Sequence, residues 1–115
     1  VVAVKRGGYL KRRTRLRPMS ERRKAELSDR RVVVAEVRAR DRDCQARYIW
    51  PEVVCRGPLD VHERIPRSAW RGGWLVVGNC LLLCRAHHDE IDRNDETLRR
   101  AVSLGLHGYS WEAER

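Results

Sequence analysis

Apolar positions along the chain come in short blocks set apart by charged or turn-forming residues. From about Glu21 to Arg40, Leu27, Val33, Val34 and Val37 fall near one face of a 3.6-residue period, and Ser20 stands where a side chain caps a helix start. A helix is predicted there, although Val32-Val33-Val34 is a β-branched run that favours a strand and pulls against it. A short strand carrying His62, an open loop from Arg64 to Gly78, and a second strand over Cys80 to Leu83 come next. A helix from about Arg85 follows and puts His88 and Asp92, four residues apart, on one face. Arg93-Asn94-Asp95 reads as a stop and a fresh cap. The next helix, Glu96 to Leu104, turns Leu98, Ala101 and Val102 inward and ends at Gly105. Gly108-Tyr109-Ser110-Trp111 is expected to pack back on the domain.

This order predicts an α+β fold in which a helix precedes a β-β-α unit. Four segments are expected: a basic arm over residues 1–19, a docking helix over 20–42, a domain over 43–111 and a tail over 112–115.

Charge sharpens that division. Residues 1–42 hold 15 Lys+Arg against 5 Asp+Glu, a net +10, whereas residues 43–115 hold 10 against 11, a net −1. Excess positive charge confined to about one third of a chain points to a polyanion gripped by an arm, and nucleic acid is the commonest such partner. The arm's seven basic residues before Ser20 include Lys11, Arg12, Arg13, Arg15 and Arg17, the candidate phosphate contacts. With Gly7-Gly8 and Pro18 breaking any period, the arm is expected to be disordered alone. Arg22, Arg23, Arg30, Arg31 and Arg38 are expected on the solvated face of the first helix.

A core drawn from 115 residues is usually supplemented by a metal, a disulfide or a partner. Val1 to Val4 is followed at once by Lys5-Arg6 and no apolar run reaches membrane length, so neither a secretory nor a membrane segment is expected, and the compartment is expected to be reducing. In that setting Cys44, Cys55, Cys84 and His87 read as zinc ligands rather than half-cystines. Cys84-x2-His87 has the usual ligand spacing; the ten residues between Cys44 and Cys55 do not. Cys80 reads as a small buried apolar residue. Trp70 and Trp74, flanking Arg71-Gly72-Gly73, are read as core-sealing aromatics, with stacking on splayed bases the competing role.

His62-Glu63, Pro66-Arg67-Ser68, Gly72-Gly73, Asn79 and Cys84-x2-His87-His88, at these offsets, resemble the HNH or ββα-metal nucleases. The likeness covers about residues 43 to 111 and is to their small zinc-containing type, found in phages and actinobacteria. The resemblance implies a ββα-metal core with a structural zinc knuckle and a metal-dependent endonuclease that hydrolyses DNA. It also implies phage packaging proteins as further partners and the cytoplasm of a bacterial host cell as the location. By the same resemblance, His62, His88 and Asp92 hold a catalytic divalent ion (Mg, Mn, Ni or Zn), Asn79 fixes loop geometry, and Arg67 clamps phosphate. Glu63 departs from the pattern, standing where most members place the histidine that activates water. Two assignments stay open: Glu63 as base with His62 on the metal, or His62 as base with Asp60 or Glu63 on the metal. Two other functions also stay open: a zinc module that binds nucleic acid without cutting it, and a protein-interaction adaptor whose arm only solubilises.

Overall fold

In the first helix, α1 (Glu21–Asp41), Ser20 Oγ accepts from the Arg23 N–H at 3.1 Å, and Arg42, at φ 62°, ends the helix by donating its N–H to the Arg38 carbonyl. The computed structural model describes residues 17–113, so Lys11, Arg12, Arg13 and Arg15 lie outside the described residues, while Arg17 is exposed just ahead of the cap. α1 runs unbroken through Val32-Val33-Val34 because burial outweighs propensity. A β-branched residue costs a helix at most about 0.7 kcal/mol, whereas burying a valine gains about 1.5–3 kcal/mol. Val33 and Val37 are both buried, against Cys80 and Leu82.

β1 (Leu59–Glu63) and β2 (Cys80–Cys84) form a two-stranded antiparallel sheet in which Asp60 lies opposite Leu83, His62 opposite Leu81 and Glu63 opposite Cys80. Successive side chains of a strand face opposite sides. Val61 and Glu63 therefore look toward α1, and Asp60 and His62 look the other way. Every residue of β2 is buried, since α1 covers one face and the core of Trp50, Ile91, Ala101 and Leu106 covers the other. The edge of β2 away from β1 is occupied as well: Gln45 N–H donates to the Leu82 carbonyl and Leu82 N–H donates to Asp41 Oδ2, both at 2.9 Å.

β2 leads directly into α2 (Arg85–Ile91), completing a β-β-α unit in an α+β fold, and α3 (Asp95–Ser103) packs beside α2. Asn94 and Thr97 cap α3 reciprocally. At its other end Gly105, at φ 76°, turns the chain left-handed. Leu106 N–H then reaches the Ala101 carbonyl and Gly105 N–H reaches Val102, the paired bonds of a Schellman turn.

Two expectations fail here. Arg30 is not on the solvated face of α1; it donates to the Trp74 carbonyl and pairs with Glu63 at 3.7 Å, because its position on the helix looks onto the loop before β2. Trp111 does not pack back on the domain: it is 77% exposed and stacks on Tyr109, with ring centres 4.5 Å apart. No helix among the described residues is long and apolar enough to cross a membrane.

Candidate metal centres

The residues after α1 fold into an irregular loop that brings Cys44 and Cys55 beside the start of α2. There Cys84, the last residue of β2, and His87, in the first turn of α2, complete a cluster whose four donor atoms all lie within 4.8 Å of one another. His87 Nε2 faces the Trp50 carbonyl at 3.0 Å. A carbonyl only accepts, so Nε2 carries the proton and Nδ1 turns its lone pair to the sulfurs. The Sγ atoms of Cys84, Cys44 and Cys55 stand 3.1, 3.5 and 3.5 Å from that nitrogen. A tetrahedral zinc with its usual bond lengths sets this edge at about 3.6 Å. Burial pushes the Cys44 thiol up to about 11. At Cys84 burial acts the same way but is outweighed by hydrogen bonds from the His87 and Arg56 backbone, which bring it down to about 6. A divalent cation allows sulfurs this close to ionise together. The four residues are thus positioned to hold a metal ion, and three sulfurs with one imidazole suit zinc.

A second group lies on the face of β1 that looks toward α2. Asp60 and His62, two apart on the strand, meet His88 from α2. Asp60 Oδ2 and His88 Nδ1 face each other at 3.7 Å, and the His62 and His88 rings lie edge to face at 5.2 Å between centres. Among the described residues, Asp60 Oδ2 and His88 Nδ1 are the buried side-chain polar atoms that make no hydrogen bond. Arg85 Nη2 is 3.1 Å from the same carboxylate oxygen, but off the line a hydrogen bond requires. Asp60 is thus ion-paired with Arg85 while it faces His88, and among the described residues the group of three or more side chains positioned to hold a metal ion is Cys44, Cys55, Cys84 and His87. His62 Nε2 contacts the Leu106 carbonyl at 2.8 Å, so it is the protonated nitrogen and Nδ1 keeps its lone pair. The Schellman turn of α3 delivers that carbonyl.

No family model, curated protein or solved structure matches this chain. The cysteine–histidine cluster therefore rests on its own geometry. Asn79 is buried in the loop. Its Oδ1 accepts from the Ile65 N–H at 3.0 Å and its Nδ2 donates to the Ile65 and Gly73 carbonyls at 3.1 Å, tying the start and the middle of the loop to the residue before β2. Position 73 has to be glycine, because a Cβ there would come within 2.7 Å of Asn79 Nδ2.

Glu63 and Asp92 are not brought to the His88 group. β1 continues through Glu63, so strand alternation turns it to the α1 side, where its Oε1 accepts from Arg67 Nε at 3.1 Å and pairs with Arg30. Arg67 goes with it, away from Asp60 and His88. Asp92 is exposed at the C-cap of α2 and joins no group positioned to hold a metal ion among the described residues. Asp60 is where the alternation of β1 puts a carboxylate on the histidine face, two residues before His62.

Burial pushes His62 down to about 4 from 6.5, against the pull of the Leu106 carbonyl and with the help of His88 and His107. The unfolded chain thus binds a proton that the folded chain rejects between these values. Stability contributed by neutral His62 is full above pH 6.5 and is lost as pH falls toward 4, by about 3 kcal/mol in all. His62→Gln should flatten this part of the curve. Urea midpoints at pH 7 and 4.5, compared between parent and variant, check it, and the same pH dependence in both would refute it.

Proposed function

We propose that the chain is a metal-dependent endonuclease of the ββα-metal (HNH) type, cutting DNA phosphodiester bonds, with the phage or mobile-element setting that its resemblance implies. The observation carrying this reading is the facing pair of buried atoms without hydrogen bonds, Asp60 Oδ2 and His88 Nδ1, beside His62 on a β-β-α unit. Asp60 and His88 would hold the divalent ion. When bound, that ion neutralises charge on the scissile phosphate and its leaving oxygen. His62 Nδ1, held by the Leu106 carbonyl in the tautomer that can accept, takes the proton of the attacking water. Asn79 is a positioning residue that holds the loop after β1. The Cys44, Cys55, Cys84 and His87 centre is structural, joining the loop after α1 to the strand–helix junction that carries His88.

Incubation of supercoiled plasmid with the full chain and added Mn, Ni or Mg tests this. Nicked or linear product is expected with at least one ion and none without added ion. The competing reading, a zinc module that binds nucleic acid and cuts nothing, draws on Glu63 standing away from the His88 group. Intact plasmid with every ion would establish it.

A further inference from the structure

On the sheet face opposite His88, three guanidinium groups crowd one indole. Arg67, Arg30 and Arg23 have Cζ atoms 4.3, 5.8 and 5.9 Å from the centre of the Trp74 ring. Trp74 is buried, so it is the floor beneath these cations. An indole face attracts a cation, but three cations over one ring repel one another, and Glu63 is the carboxylate set among them. Above this floor a cleft of about 350 Å³ opens between the first turns of α1 and the Gly72 loop, lined by Arg22, Arg23, Arg67, Arg71 and Trp74 with one carboxylate, Glu26, among them. Arg22 is satisfied by Glu26 at 3.3 Å, whereas among the described residues neither Arg23 nor Arg71 has a carboxylate partner. Arg67 is preset: its Cζ sits over the indole and its Nε donates to Glu63. That leaves the paired Nη atoms of a planar fork for a ligand with two oxygens. The chain also enters α1 here, and Arg17, three residues ahead of the Ser20 cap, is exposed.

The geometry points to a phosphodiester-binding exosite for a nucleic-acid strand, formed by Arg23, Arg67 and Arg71 over Trp74 and separate from the Asp60–His88 group. This rests on the reading of the chain as a nucleic-acid enzyme and adds where the strand is held away from the cut. Glu63 and Arg67 then work together as holder and clamp. A strand engaging both places passes around the end of β1, so the substrate extends beyond the two nucleotides at the scissile bond.

The test is binding of a short fluorescein-labelled DNA duplex to the full chain by anisotropy across a salt series, with no divalent ion added so that nothing is cut. Arg23→Ala/Arg71→Ala should weaken binding and reduce the log–log salt slope by one to two, at about 0.9 per phosphate contact. Arg99→Ala/Arg100→Ala, removing the same charge from α3, should leave the slope at the parent value. Arg67→Lys keeps the charge but loses the fork, so affinity should fall with the slope little changed. Metal content and circular dichroism matching the parent confirm that the variants fold. A parent-like slope in Arg23→Ala/Arg71→Ala, or an equal loss in the α3 control, overturns the exosite, even if plasmid is cut. A reduced slope in the first and not the second upholds it, even if no ion supports cleavage.

Discussion

Cys84→Ser is expected to release the bound ion and, with it, the cooperative fold. A structural zinc contributes about 10–16 kcal/mol of binding free energy that becomes folding free energy, while a whole domain of ordinary stability has only about 5–15 kcal/mol. Cys84 is the most consequential ligand because it is at once the end of β2, the N-cap of α2 through its sulfur, and the sulfur nearest His87 Nδ1. Metal analysis of the parent should find one tightly held ion per chain, zinc by its donor set. The variant should lack it and melt without a sharp transition. A parent that melts cooperatively with no metal would remove the basis for this centre.

His62→Ala should lower the cleavage rate by about 10²–10⁴, the usual range for a positioned general base, with the structural ion retained. Glu63→Gln should behave differently. Glu63 reaches Arg67 and Arg30 rather than the His88 group, so its loss should raise KM for DNA and leave kcat at the parent level, the signature of lost ground-state binding. The contrast separates the two assignments the sequence leaves open. A collapse of kcat in Glu63→Gln with His62→Ala still active would return the base to Glu63. His88→Ala removes a proposed ligand, so cleavage should fall together with uptake of the added ion.

Local signals in the sequence were informative where the physics is local. Ser20, Asn94 and Gly105 announce helix ends because capping chemistry depends on a residue and its near neighbours, and all three act as read. Cys84-x2-His87 works the same way, one helical turn bringing both to a single donor cluster. Cys44 and Cys55 depended on what the intervening loop does, and composition favoured a metal over a disulfide strongly enough to place them. What escaped was set by tertiary direction. The alternation that pairs Asp60 with His62 and turns Glu63 away was present in the sequence but was overridden by the register of a resembling motif. The Leu106 carbonyl that fixes His62 is backbone and has no residue signature, so only the turn at Gly105 could hint at it. The gathering of Arg23, Arg30 and Arg67 on Trp74 joins α1 to a loop more than thirty residues away, beyond the reach of any periodic pattern.

The hydrogen bonds that Asp41 and Gln45 make to Leu82 have a consequence for the protein deprived of its metal. Cys80 to Cys84, CLLLC, is the most apolar short run in the chain, with the composition of a self-associating strand. Its free edge is shielded by Asp41, the last residue of α1, and by Gln45, and Cys44, next to Gln45, ties that stretch to the cysteine–histidine cluster. Removing an ion held there is expected to loosen this shield before β1 and β2 part, leaving the strand with open backbone donors and acceptors. Chelation should therefore yield light-scattering aggregates rather than a soluble unfolded chain, and the centre guards solubility as well as shape.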